Sequence, residues 1–216
     1  MTEILLVEDD ESLVRLLGAL LEQEGFKVQM ATNGDRALRK LEKWLPDLVI
    51  CDIQMPVLDG FGLLKEVRNN EHWKQLPFIF LTGIESEEKR ELSKQLGADD
   101  YLTKPINRDQ LLQAISLRLG KQVSLTSLNS NRSDNRLLLH LAAANGDLES
   151  LKERAAQVDD IDMTDAQGNT ALMFAIMMRQ VEAAHFLMRQ GANPDLRHPA
   201  TGMRIGAMAR AMGLDF

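Results

Sequence analysis

The sequence predicts two domains: an α/β domain on a doubly wound, five-stranded parallel sheet, followed by a smaller all-α domain. Three observations carry this. Short apolar runs alternate with amphipathic stretches through residues 1–120. The runs are apolar throughout, which suits strands covered by helices on both faces. Beyond residue 134 the chain repeats itself at a spacing near 33 residues.

Taken in order, Ile4 to Val7 is the first apolar run, and it ends in Glu8-Asp9-Asp10. Ser12 to Glu24 is helical, with Leu13, Leu16, Leu17, Leu20 and Leu21 on one face and Gly25 as its stop. Lys27 to Ala31 reads as a strand, and Asp35 to Trp44 as a helix ended by Pro46. Leu48 to Cys51 is a strand ending at Asp52, and Phe61 to Arg68 is a helix. Phe78 to Leu81 is a strand ending at Thr82. Ser86 to Leu96 is a helix, with Ser86 as N-cap and Glu87 and Glu88 favouring its N-terminus. Tyr101 to Thr103 is a short strand and Arg108 to Leu119 the last helix. Together these make five β-α units.

Residues 121–134 are rich in Ser and Asn and have no sustained period, so they read as a linker between a domain at 1–120 and another at 135–216. In the second domain Leu139-His140-Leu141-Ala142 aligns with Leu172-Met173-Phe174-Ala175, and then with Gly206-Ala207-Met208-Ala209. Glu149 aligns with Glu182.

Charge excludes some functions. Residues 1–120 hold 15 Lys+Arg against 21 Asp+Glu, and residues 121–216 hold 10 against 11. Neither half has the basic surface that nucleic acid requires. The start, Met1-Thr2-Glu3, lacks signal-peptide character, and no apolar run spans a bilayer. Cys51 is the single cysteine, so no disulfide forms within the chain. The expectation is a cytoplasmic protein with neither nucleic acid nor membrane as partner.

In doubly wound sheets, ligands bind beyond the carboxyl ends of the strands. Those ends carry Glu8, Asp9 and Asp10, then Asp52, Thr82 and Lys104. Three carboxylates in one crevice repel unless a cation sits among them, and hard oxygens in an open, wet site suit Mg²⁺. A carboxylate is also a nucleophile toward phosphorus, forming an aspartyl phosphate. A metal and Lys104 would neutralise the phosphoryl oxygens, and Thr82 would donate a hydroxyl. A lone strand-end Asp is ordinarily a cap or turn residue. Agreement among four strand ends reverses that for Asp9 and Asp52, while Asp10 reads as solvent-facing or as an added charge.

The chain from Glu3 to about Gly120 resembles bacterial response-regulator receiver domains. The resemblance rests on Ile4-Leu5-Leu6-Val7-Glu8-Asp9-Asp10, Asp52-Ile53-Gln54-Met55-Pro56-Val57-Leu58-Asp59-Gly60, Phe80-Leu81-Thr82-Gly83 and Tyr101-Leu102-Thr103-Lys104-Pro105. It implies a flavodoxin-like fold and a phosphoryl group accepted on Asp52 from a sensor histidine kinase or a histidine phosphotransfer protein. Self-phosphorylation and self-dephosphorylation come with it, without a separate catalytic output domain. It further implies Mg²⁺ ligated by Asp9, Asp52 and the backbone carbonyl of Gln54, with Glu8 acting through water. Thr82 and Lys104 would bind the phosphoryl oxygens, with Thr82 and Tyr101 forming the switch. A cis Lys104-Pro105 peptide is implied as well. The resemblance also implies that Gln54 and Ile84 flank the attacking water's path, where an apolar Ile84 points to a phosphorylated lifetime of minutes or more.

From Leu137 onward the chain resembles ankyrin repeats, with two copies and a third of one helix. Some positions depart from the pattern. Glu153 and Arg154 stand where the second copy has Phe186 and Leu187, Arg179 where the first has Gly146, and Val158 in place of Gly191. His140 reads as a scaffold histidine, and Met173, Met177, Met178 and Met188 as core filler. The resemblance implies a protein-binding module with an unknown protein target. The reading is a two-component response regulator whose phosphorylation controls that module's contacts. The alternatives are a phosphate shuttle with a docking tag, or dimerisation through the ankyrin half to a homodimer.

Overall fold

The computed structural model describes residues 1–83, 87–104, 106, 108–120 and 132–214. The chain divides into two compact units, Met1–Thr126 and Ser127–Phe216.

In the first unit the apolar runs become β1 (Glu3–Val7), β2 (Lys27–Ala31), β3 (Leu48–Asp52), β4 (Phe78–Thr82) and β5 (Asp100–Thr103). All pair in parallel, in the order β2-β1-β3-β4-β5. Every residue of β3 and β4 is buried, whereas the edge strands β2 and β5 are largely half-exposed. Each buried Leu, Ile, Val or Phe contributes about 1.5–3 kcal/mol of transfer free energy, so the central runs set which strands lie inside. Cys51 is fully buried on β3 beside Asp52, and burial pushes its thiol well above the usual range.

The strands run one residue past their apolar cores, so Asp52 and Thr82 belong to the ladder. Asp52 pairs with Leu81 and Thr82 with Thr103.

The helices are α1 (Glu11–Gln23), α2 (Gly34–Leu41), α3 (Gly60–Asn69), α4 (Glu87–Gln95) and α5 (Arg108–Leu119). The five leucines of the α1 stripe are all buried. α2 stops three residues short of Trp44. The Lys43 and Trp44 N–H groups both return to the Lys40 carbonyl, and the Trp44 indole N–H donates to Glu3 on β1. A tertiary partner thus ends the helix before Pro46 does. The N-cap reading of Ser86 lies outside the described residues, as do Ile84 and Pro105.

Close packing seats α3 on β3. A Cβ on Gly60 would lie 2.3 Å from the Asp52 carbonyl oxygen, so only glycine allows this approach. The Gly60 N–H donates to the Ile53 carbonyl at 2.9 Å, and Asp59 caps the helix by accepting from the Gly62 N–H at 2.7 Å.

The second unit comprises α6 (Arg132–Asn145), α7 (Leu148–Ala155), α8 (Ala171–Met177), α9 (Val181–Arg189) and α10 (Ile205–Ala211). α6 starts at Arg132, inside the stretch that reads as linker; residues 121–131 lie outside the described ones. The repeat is visible in burial: Leu139, Leu141 and Ala142 are buried, as are Leu172, Phe174 and Ala175, and then Ala209. It is visible in the loops as well, where the bridge Thr164–Thr170 recurs as Arg197–Arg204. Gly146 turns with φ +70°, and its counterpart Arg179 takes the same left-handed turn at +56° without glycine. Arg154 is 28% exposed by side chain where Leu187 is fully buried, so the first copy packs less apolar surface there.

His140 is fully buried, with Nε2 3.0 Å from the Met163 carbonyl and its ring centroid 5.4 Å from that of Phe174. Its Nδ1 is buried with no hydrogen-bond partner among the described residues. Burial drives the imidazole down to about 4, against the opposing pull of the Met163 carbonyl. The unfolded chain therefore takes up a proton below pH 6.5 that the folded one refuses until about pH 4. Stability of this unit should fall by about 2 kcal/mol between pH 7.5 and pH 5, with no further loss from this group below pH 4. Urea unfolding of the full chain at both pH values, beside His140→Gln, checks this; an identical pH slope in the variant would remove the assignment to His140.

Candidate functional site

The strand order reverses between β1 and β3, and a crevice opens there at the carboxyl ends of the strands. Val7 pairs with Cys51, so the next residues, Glu8 and Asp52, stand side by side at the mouth. Carboxylate oxygens of Glu8, Asp9 and Asp52 all lie within 4.8 Å of one another. Glu8 is 2% exposed and Asp52 6%, while Asp9 is open to solvent.

Lys104 closes the group from the far end of the sheet. Its backbone N–H donates to the Thr82 carbonyl at 2.6 Å, extending the β4–β5 pairing by one residue. Its Nζ lies 2.8 Å from Glu8 Oε2 and 2.7 Å from Asp52 Oδ2. The other Asp52 oxygen, Oδ1, accepts from the Gln54 N–H at 3.1 Å. Thr82 is fully buried on the adjacent strand, and Tyr101 is half-buried on β5 against the core that includes Phe78 and Phe80.

Burial pushes the Glu8 carboxyl up to about 7, with the Lys104 charge opposing and the Asp52 charge adding to the rise. Partial burial raises Asp9 as well, and the Asp52 charge contributes. Burial pulls the Lys104 ammonium down, but the charges of Glu8 and Asp52 more than reverse this and leave it raised. The crevice thus stores negative charge at low dielectric, with the Lys104 ammonium inside it. The three hard carboxylates, one exposed, fit a small divalent cation such as Mg²⁺.

An open cleft of about 460 Å³ adjoins this group, lined by Asp9, Ile53, Gln54, Met55, Pro56, Asp59, Phe61 and Lys89. Its lysine comes from α4 and was not among the residues singled out from the sequence, because an exposed helical lysine has no signature. Asp10 is another residue whose role differs from expectation. Its Oδ1 accepts from the Ser12 and Leu13 N–H groups, both at 2.9 Å, so it is the N-cap of α1 rather than a pocket charge. The signal was present: an Asp immediately before the first helical residues.

A family model for the response regulator receiver domain matches residues 4–116. The chain belongs to this family. A model for ankyrin repeats in three copies matches residues 107–198, so a receiver is joined to ankyrin repeats. The matches overlap across part of α5, whose Leu111, Leu112, Ala114 and Ile115 are buried within the first unit. The chain is 38% identical over 157 residues to the transcriptional regulatory protein DltR of Streptococcus agalactiae, covering 73% of this chain and 67% of DltR. It is 45% identical over 115 residues to the transcriptional regulatory protein CpxR of Escherichia coli, covering 53% of this chain and 48% of CpxR. The chain therefore spans about half the length of CpxR. Among solved structures, the receiver domain of the sensor histidine kinase PA1611 from Pseudomonas aeruginosa superposes with a TM-score of 0.52 at 34% identity. It covers 56% of this chain and 98% of that one, and its structure holds a magnesium ion in the active site cleft.

The receiver's loop after β3 carries a strained residue. Val57 has φ +71°, and the Leu58 N–H donates to the Pro56 carbonyl at 2.9 Å across it, forming a γ-turn. A β-branched residue is an outlier there, at about 1–2 kcal/mol. The side chain is 85% exposed, so it gains little packing in return. Val57→Gly should raise stability by about 1 kcal/mol, the relief of strain exceeding the entropy cost of glycine. Thermal unfolding checks this; a lower melting temperature would show that Val57 is not strained.

Proposed function

We propose that Asp52 accepts a phosphoryl group in a two-component phosphorelay, and that phosphorylation controls protein binding by the ankyrin module. The observation that supports this most is the Lys104 ammonium held between Asp52 and Glu8, at 2.7 and 2.8 Å, at the topological switch point. A carboxylate in that position is the nucleophile, and its donor is a phosphohistidine on a sensor histidine kinase or a histidine phosphotransfer protein. The Asp52 oxygen forms the bond to phosphorus while the bond to the imidazole nitrogen breaks.

Glu8, Asp9, Asp52 and the backbone carbonyl of Gln54 are the proposed holders of Mg²⁺, with Glu8 acting through water. When bound, the ion supplies positive charge against the phosphoryl oxygens. Lys104 supplies a second positive charge and Thr82 a hydroxyl donor. Thr82 and Tyr101 lie on neighbouring strands, so a phosphoryl group that draws on the Thr82 hydroxyl changes the space beside the Tyr101 ring. That is the proposed switch, a shift between two pre-existing states.

The second unit matches ankyrin repeats, and no described helix is long and apolar enough to cross a membrane. The proposed output is therefore contact with a protein target. DltR and CpxR are named as transcriptional regulators; here the unit after the receiver is built of ankyrin repeats.

With Mg²⁺ and acetyl phosphate, the wild-type chain should gain one acid-labile phosphate and Asp52→Asn none. Labelling of Asp52→Asn at the wild-type rate would reject the assignment. A second pair separates metal binding from structure. Asp9→Ala should weaken Mg²⁺ binding at least about tenfold at little cost in stability, since Asp9 is exposed. Asp10→Ala should leave Mg²⁺ binding within about twofold but lose about 1 kcal/mol of stability through the lost cap. Metal titration and urea unfolding of both variants test this; equal losses of affinity would place the wrong residue in the pocket.

A further inference from the structure

The two oxygens of Asp52 face different surroundings. Oδ2 is held by Lys104, while Oδ1 accepts from the Gln54 N–H, and Gln54 lines the open cleft. Two neighbours of the Asp52 carboxylate, Asp9 and Gln54, thus border the cleft. A donor approaching Asp52 through it leaves its non-phosphoryl part in the cleft.

With Asp9 taken up by the proposed cation, Asp59 remains to repel an anion there, and Lys89 is the one basic residue among the lining residues. Asp59 is already engaged as the cap of α3. Lys104 lies against Glu8 and Asp52 and serves the phosphoryl oxygens, and it is not among the residues lining the cleft. The ammonium of Lys89 is in no ion pair with a described residue, and the residue is half-buried on α4, where the Ser93 hydroxyl donates to its carbonyl at 2.7 Å.

We propose that Lys89 is a specificity-determining residue for the phosphodonor, neutralising negative charge on an acyl leaving group in the cleft. This rests on Asp52 being the phosphoacceptor. With acetyl phosphate, an Asp52 oxygen bonds to phosphorus and the bond from phosphorus to the acyl oxygen breaks. The electron pair leaves on that oxygen as acetate, and no proton is required. With phosphoramidate, the phosphorus–nitrogen bond breaks and neutral ammonia departs from the already protonated nitrogen. Lys89 assists the first reaction and has no charge to neutralise in the second.

The test uses the full chain with Mg²⁺ and measures the rate of phosphate gain from each donor by intact mass spectrometry. Lys89→Gln should slow labelling by acetyl phosphate about 5- to 10-fold and labelling by phosphoramidate less than about twofold. Lys89→Glu should widen that ratio, and Lys89→Arg should restore it. Loss of phosphate from the labelled protein should be unchanged in Lys89→Gln. A parallel fall with both donors would mark a structural role, and an unchanged rate with both would mark none; either overturns the inference while labelling of the wild type stands. A wild-type chain that gains phosphate from neither donor would overturn the phosphoacceptor reading, and this inference with it.

Discussion

The constraint on which the receiver depends is the crowding of buried carboxylates at one point of the sheet. Glu8 and Asp52 are nearly inaccessible, and one ammonium lies between them. Isolated ions in such surroundings cost several kcal/mol each. Pairing with Lys104 offsets that cost in part, while burial still holds the Glu8 carboxyl raised. The three groups come from β1, β3 and the end of β5, so the arrangement holds only while strands from one edge of the sheet to its middle keep register. Register is fixed by fully apolar runs buried on both faces, where a one-residue slip would carry Asp52 or Thr82 out of place.

The same logic explains what was legible in the sequence. The fold could be read because each central strand is an uninterrupted apolar run ended by a polar residue. The structure brings Glu8, Asp9, Asp52 and Lys104 together because those ends share one edge. Helix limits were harder to read where a partner distant in sequence decides them. α2 stops at Leu41 because Trp44 turns to Glu3, 41 positions away along the chain. Val57 and Arg179 were illegible for a different reason. Neither residue favours a positive φ, so local preference argued against the turns that the backbone makes there. Lys89 had no signature, because the cleft it lines is formed by segments that are remote in sequence.

The second unit shows how a repeat tolerates departures. Backbone geometry recurs at Gly146 and Arg179, and again at the bridges Thr164–Thr170 and Arg197–Arg204, although the residues differ. What does not recur is apolar content: Arg154 occupies the register of the buried Leu187. Repeat arrays draw stability from nearest-neighbour interfaces. The first copy therefore leans more on α6, whose Leu137, Leu139 and Leu141 are buried, than on α7, where only Leu151 is.

Cys51 gives the receiver a built-in clock. It is the chain's single thiol, fully buried on β3, and its Sγ lies 3.0 Å from the Asp52 carbonyl. No alkylating reagent reaches it while β3 is covered, and its raised pKa leaves almost no thiolate to react. The rate at which the sulfur is modified then counts openings of the central sheet, read at the residue next to Asp52. The ankyrin unit has no cysteine and is silent in that signal. One covalent mark per chain thus separates breathing of the receiver from unfolding of everything else, without a label having to be introduced.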